Sequence, residues 1–346
     1  MNRIPHIVAA VLVAGAASPA FAQKTLYIGM NGGAYEKIYT EHIFPGFEKA
    51  TGAKVVVVPG TSTDILAKVQ ASKDKPQMHV MFLDDGVMYR AISMGLCEKL
   101  KGSAALNELH PAARMKGDMA AGVSIGMTGL AYNPKMFAEK GWTPPTSWMD
   151  LANPKYKGKV VFQSMPSSTF GLHGFLMVNR IQGGNDKNVE PGFKAWPTTV
   201  GPNVLEYIPS SAKLSEMLQT GEAALFPLTP TMVATFKARG LPVEYVQPKE
   251  GSVVLMTAEC VITNNSEPEL AQKLAEYLLT ADAQAKALQL GNYNPSNAKT
   301  KPTTDAAAAE VKLLNDYMKT AVTVDWEVIN ESRPAWNQRW NRVVER

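Results

Sequence analysis

Apolar and polar positions come in short alternating blocks along this chain, and the blocks predict strands and helices taking turns. Leu26-Tyr27-Ile28 reads as a strand that runs into a small-residue loop, Asn31-Gly32-Gly33-Ala34-Tyr35. A helix is predicted over 38–50, a turn at Thr51-Gly52 and a second strand over 54–58. Residues 65–72 read as a helix with Asp64 near its start, and 79–83 as a short buried strand ending in the turn Asp84-Asp85-Gly86. Residues 87–94 are helical and stop at Gly95, and 124–132 form an apolar strand interrupted by Gly126 and Gly129. Strands alternating with helices at this spacing argue for an α/β fold with a mostly parallel sheet.

The texture changes near Gly141, where Trp142-Thr143-Pro144-Pro145-Thr146-Ser147-Trp148 reads as a rigid extended connector. Short strands follow over 159–162, 206–208, 223–226 and 244–246, with a helix over 170–182. Residues 253–256 and 260–263 read as a pair of apolar segments. A helix over 267–279 carries the capping-box signature, with Ser266 as N-cap and Glu269 at N3. The tail, 306–346, reads as largely helical and holds Trp326, Trp336 and Trp340.

The first 22 residues have a different pattern. Arg3 precedes an apolar run over 7–17, and Ala20-Phe21-Ala22 follows. Together these predict a cleaved export signal, because the run is too short to span a bilayer. The expected location is therefore outside the cytoplasm. About 324 of the 346 residues would remain, too many for one comfortable core, so two domains are expected. Loss of Arg3 lowers the formal net charge from +4 to +3, and no basic stripe interleaved with aromatics suggests nucleic acid. Cys97 and Cys260 both lie in apolar surroundings, and the sequence leaves open whether they are bridged or free.

The chemistry-bearing residues are few. The four histidines of the mature chain, His42, His79, His110 and His173, have no metal-ligand spacing. No cofactor motif is evident. Gly122-Val123-Ser124-Ile125-Gly126 matches the nucleophile-elbow pattern, but an elbow needs a helix directly after the serine and a strand is predicted there. Asp84 and Asp85 stand beyond the end of a strand, where ligands bind in open α/β sheets. Ser167, Ser168 and Thr169 lie between a strand and a helix. Three hydroxyls there, with free backbone N–H groups and the positive end of the helix dipole, suit an anion. Thr229 and Thr231 form a second hydroxyl pair of the same kind, and Tyr35 and Tyr293 are loop aromatics able to wall a small cleft.

Nearly the whole mature chain resembles the periplasmic solute-binding proteins of ABC importers, in the branch of the spermidine/putrescine receptors. The resemblance is carried by Leu26-Tyr27-Ile28-Gly29, Phe44-Pro45-Gly46-Phe47-Glu48-Lys49-Ala50-Thr51-Gly52, Gly129-Leu130-Ala131-Tyr132-Asn133-Pro134 and Pro145-Thr146-Ser147-Trp148. Further along, Tyr156-Lys157-Gly158-Lys159-Val160, Gly221-Glu222-Ala223-Ala224-Leu225 and Pro248-Lys249-Glu250-Gly251 continue it. It implies two α/β lobes joined by crossing strands, with lobe one at 23–130 plus 253–304 and lobe two at 131–252 plus 305–346. It also implies a ligand cleft between them, hinge closure that presents a new surface to a membrane permease, a monomer, and no covalent chemistry.

The departures from that branch concern the ligand. Polyamine receptors box cationic amines with acids and tryptophans. Here Leu255 and Thr257 stand where a tryptophan and an aspartate are expected, Thr229 stands near another tryptophan, and Ser167 to Thr169 lack the acids. An ammonium buried without a carboxylate is costly. The leading expectation is a small carboxylate or amino acid, such as a short ω-amino acid. Hydroxyls would hold its anionic end, for which a phosphonate or phosphate is equally suited, and Asp84 or Asp85 would hold its amine. The expected ligand-binding residues are Gly32, Gly33, Ala34, Tyr35, Asp84, Asp85, Ser167, Ser168, Thr169, Thr229, Thr231, Thr257 and Tyr293. Polyamine receptor, ferric-iron receptor and a secreted hydrolase using Ser124 are the alternatives.

Overall fold

Two strands, Ala121–Tyr132 and Val253–Ile262, are long enough to serve both halves of the molecule. They are β5 and β10 of the computed structural model, which describes residues 23–345; the export segment lies outside the described residues. The other strands are β1 (Thr25–Met30), β2 (Lys54–Pro59), β3 (Val80–Asp84), β4 (Cys97–Glu98), β6 (Val160–Gln163), β7 (Val204–Ile208), β8 (Leu225–Leu228) and β9 (Glu244–Val246). They join in the order β2-β1-β3-β10-β5-β8-β6-β7, with β4 also on β10 and β9 also on β5. β1 runs parallel to β2 and β3, and β6 parallel to β7 and β8. β10 and β5 are antiparallel to each other and to their outer neighbours. The first part of β5 pairs with β10, and its last four residues pair with β8. The result is a two-lobe α/β fold with β5 and β10 crossing between the lobes.

Strand alternation sorts the side chains into cores on opposite faces of each half-sheet. In the first lobe Val80 and Phe82 join the cluster of Leu26, Ile28 and Met30, while Met81 and Leu83 face Ile65, Met88 and Ala91. In the second, Val160 and Phe162 meet Trp196 and Trp340, and Val161 meets Leu214 and Phe236.

Six helices position the site: α1 (Ser62–Ala71), α2 (Asp85–Ser93), α3 (Thr169–Ile181), α4 (Pro230–Ala238), α5 (Asp305–Met318) and α6 (Trp326–Val343). The first four begin at the carboxyl ends of β2, β3, β6 and β8. Among the described residues no helix is long and apolar enough to cross a membrane.

Several local expectations change. The segments read as 253–256 and 260–263 are one strand, continuous through Thr257, Ala258 and Glu259. Gly126 and Gly129 do not break β5; at Gly129 a Cβ would collide with the Tyr245 hydroxyl. The helix predicted over 38–50 starts earlier and contains a π-helical stretch, Tyr39–Ile43. The capping box at 266–269 is absent: Glu267 is the N-cap and makes no side-chain cap bond, while the Ser266 hydroxyl lies 3.1 Å from His79 Nε2. Cys97 and Cys260 are disulfide-bonded, with their Cα atoms 5.6 Å apart, joining β4 to β10.

Glu259 is fully buried in β10, and neither carboxyl oxygen has a hydrogen-bond partner among the described residues. Burial pushes its pKa far up, so the folded chain keeps the proton. The unfolded chain releases it above its ordinary value near 4.5. Stability is therefore highest below that pH and falls as pH rises toward the folded pKa. Glu259→Met is expected to stabilise the protein by about 1–3 kcal/mol at pH 7, and by less at pH 4.5. Urea unfolding at the two pH values checks this; an equal or opposite effect at both would contradict it.

Candidate functional site

A cavity of about 600 Å³ opens between the lobes at the carboxyl ends of β2, β3 and β6. This is where an α/β sheet leaves room for a ligand, because each strand stops and its chain turns outward into a helix. The first lobe contributes Thr61, Ser62 and Thr63 at the start of α1, and Asp84, Val87 and Arg90 from the β3–α2 turn and α2. The second contributes Pro166, Ser167 and Thr169 before and at the start of α3. Helix α6 closes one side with Asn330, Arg333, Pro334 and Asn337.

Local chemistry explains each position. Thr61 caps α1, accepting from Asp64 N–H at 3.2 Å, and the Asp64 carboxylate returns a bond to the Thr61 backbone. The Ser62 hydroxyl accepts from the Asp84 N–H at 3.0 Å, tying the β2–α1 turn to the end of β3. Burial raises the Asp84 pKa, opposed by the Ser62 hydroxyl. The first turns of α1 and α3 both open onto the cavity, so two positive helix ends face it.

The decisive feature is the pair Arg90 and Arg333. Arg333 is half-buried on α6 and Arg90 is exposed on α2. Neither makes an ion pair among the described residues. Burial, and secondarily the neighbouring Arg90 charge, lower the Arg333 pKa. Two guanidinium groups sharing a cavity with hydroxyls and helix N-termini form a receptor for an anion, and the fork of an arginine matches an oxyanion in two bonds. Sequence reading missed both residues, since single arginines within helices look like ordinary solvated charge. The one available signal was Pro334, which sits inside α6 directly after Arg333 and marks an irregular place in a helical run.

The expected ligand residues are distributed unevenly. Asp84, Ser167 and Thr169 line this cavity together. Ser168 is spent locally: it caps α3 by accepting from Phe170 N–H at 3.1 Å and donates to Gln163 Oε1 at 2.9 Å. Asp85 is buried behind the cavity, accepting from Gly86 N–H at 2.9 Å. Burial first, then Asp84, push its pKa up to about 8, against the Gly86 N–H and the Trp326 side chain. Thr229 caps α4, accepting from Met232 N–H at 3.2 Å.

Thr231 lines a separate pocket of about 220 Å³ with Lys237, Tyr245, Asn294, Leu313 and Tyr317. Thr257 lies on β10 opposite Asp84 on one side and Ser124 on the other. Gly32 and Gly33 are exposed just past β1, and Ala34 begins the next helix. Tyr35 and Tyr293 meet edge to face at 4.6 Å, and the Tyr35 hydroxyl donates to Tyr39 at 3.3 Å, so both rings pack within their own lobe. Ser124 is in mid-strand, and the strand continues to Tyr132, so no helix directly follows the serine. Among the described residues no group of three or more His, Cys, Asp or Glu side chains is placed to hold a metal ion.

Two lobes, crossing strands and a polar interlobe cavity define a cleft receptor for a small solute. The chain belongs to the bacterial extracellular solute-binding proteins, whose family model matches residues 43–315. It is 24% identical to the spermidine/putrescine-binding periplasmic protein of Escherichia coli over 343 residues, covering 93% of this chain and 92% of that protein. It is 22% identical over 310 residues to a Salmonella paratyphi A protein named "Putative 2-aminoethylphosphonate-binding periplasmic protein", covering 87% and 86%. In fold it is similar to an ABC transporter structure from Clostridium perfringens, with a TM-score of 0.80, 21% identity and 92% and 99% of the two chains covered. The resemblance seen in the sequence is thereby shown: this is a substrate-binding receptor of an ABC transporter, in a family of solute-binding proteins that act outside the cytoplasm.

Proposed function

We propose that the receptor captures a small organic anion, foremost a phosphonate or phosphate monoester, by closing its lobes around it. The observation that supports this is the Arg90–Arg333 pair in the cavity, neither of which has a carboxylate partner among the described residues. A polyamine would be repelled by both guanidinium groups, and among the described residues Asp84 is the one carboxylate lining the cavity. A carboxylate, as in the ω-amino acid reading, brings one negative charge to the two arginines; a dianionic phosphonate head brings two charges and a third oxygen. Asp84 is then available to accept from an ammonium or hydroxyl at the other end. One relative's name includes 2-aminoethylphosphonate, which has both ends.

The same reading includes export with cleavage after Ala22, a periplasmic monomer, and handover to a membrane permease. It divides the lobes at 23–130 plus 253–304 and 131–252 plus 305–346. Helix α5 straddles that division, with Leu314 in a first-lobe core and Tyr317 against Tyr245 of β9.

A thermal-shift screen of the mature protein tests the proposal. At one hundred times its dissociation constant a ligand adds about 2.7 kcal/mol. Stabilisation is expected from 2-aminoethylphosphonate and simple phosphate monoesters, weaker from 4-aminobutyrate. Stabilisation by putrescine or spermidine alone would overturn it.

A further inference from the structure

Helices α2 and α6 lie side by side across the cleft, one from each lobe. Near the crossing strands they grip each other tightly. The Trp326 ring lies so close to Gly86 that a Cβ there would come within 2.7 Å of it. The Asn330 side-chain amide donates to the Gly86 carbonyl at 2.8 Å. The Trp326 side chain also favours the Asp85 carboxylate, and Lys116 of the first lobe pairs with Glu327 of α6 at 2.6 Å. Arg90 lies four residues after Gly86 and Arg333 three after Asn330, so each arginine stands one turn, about 5 Å, along its helix from the grip, and both line the cavity. Trp326, Asn330, Arg333 and Asn337 share one face of α6 by their spacing. The rest of α6 is rooted in the second lobe, where Ile329, Trp336 and Trp340 are buried with Phe162 and Phe175.

The arrangement is a pincer: a pivot of packed and hydrogen-bonded groups near the hinge, and a like-charged pair at its mouth. We infer that Arg90 and Arg333 are the charge gate of lobe closure, repelling each other across the empty cleft and drawn together when an anion lies between them. This deepens the anion reading of the cleft, on which it rests. It gives the ligand a direct mechanical role. A ligand shifts a two-state equilibrium only by its differential affinity for the two states. An anion touched by both arginines has that difference built in, because it cancels a repulsion that grows as the mouth narrows.

The gate makes a prediction that needs no ligand. Arg90 is exposed, so substitutions there leave the packing intact. Arg90→Glu replaces the repulsion with an attraction to Arg333, and Arg90→Gln merely removes it. With fluorophores on the two lobes, single-molecule energy transfer on the ligand-free protein should show the closed-to-open ratio rising about tenfold or more in Arg90→Glu, and less in Arg90→Gln. Variants distributed as the wild type, or shifted toward open, would overturn the inference. Calorimetric titration of wild-type protein with 2-aminoethylphosphonate and with inorganic phosphate tests the other premise separately. If Arg90→Glu closes while the wild type binds neither probe, the repulsion between the arginines stands, and the anion reading falls together with closure driven by an anion. If the wild type binds but both variants keep its open-to-closed ratio, the reverse holds.

Discussion

Arg333→Met is expected to weaken binding of 2-aminoethylphosphonate by about 30- to 1,000-fold, the usual cost of about 2–4 kcal/mol for removing one partner of a desolvated charged contact. The same substitution should raise the melting temperature of the ligand-free protein. Arg333 is half-buried, lies near another arginine and makes no ion pair among the described residues, so removing its charge relieves both burial and repulsion. Opposite signs for affinity and stability mark a residue held in place for a ligand rather than for the fold. Asp84→Asn should behave differently again. It should reduce affinity for 2-aminoethylphosphonate while leaving methylphosphonate binding little changed, because only the first brings an ammonium to that carboxylate. Calorimetric titration with the two phosphonates, alongside melting curves without ligand, separates these outcomes. Unchanged affinity in Arg333→Met would remove the residue from the site.

Loss of the disulfide should have the largest effect on stability. Cys97 and Cys260 are 163 residues apart and buried among Met81, Met88, Leu96 and Ile262. In the chain-entropy account a crosslink of that span restricts the unfolded chain by about 5 kcal/mol. Cys97→Ala with Cys260→Ala should therefore lower the urea midpoint sharply, and reducing agent should do most of the same to the wild type. Urea titrations of oxidised, reduced and double-variant protein check this. Equal midpoints for all three would show that the crosslink contributes nothing.

Some of this structure was legible in the chain and some was not, for identifiable reasons. The βα units at the start of each lobe show in the sequence because their strands are short apolar runs ending in glycine, aspartate or serine. β10 was read as two pieces because Thr257 and Glu259 interrupt its apolar pattern. A buried, unpartnered glutamate contradicts any hydropathy reading. The capping box at Ser266 fits the sequence rule, yet the serine hydroxyl lies next to His79, which is 187 positions away and invisible to a local pattern. In the cleft, Asp84, Ser167 and Thr169 could be picked out because they follow strands. Arg90 and Arg333 could not, because each acquires its meaning from the other across 243 residues of chain. Thr61 to Thr63 follow β2 just as Ser167 and Thr169 follow β6, but a threonine-serine-threonine run before a helix looks in sequence like ordinary capping.

The sheet order also governs when the molecule can be built. β10 inserts between β3 and β5, so the first lobe has a gap in its middle until residue 262 has been synthesised. β5 meanwhile leaves its pairing edge bare, and the bond at Cys97 waits for Cys260. Contacts this distant along the chain close slowly. The first-lobe sheet is therefore completed only after about three quarters of the chain has been made. The bond between β4 and β10 likewise needs both partners of that late pairing in place, together with the oxidising surroundings that export would supply.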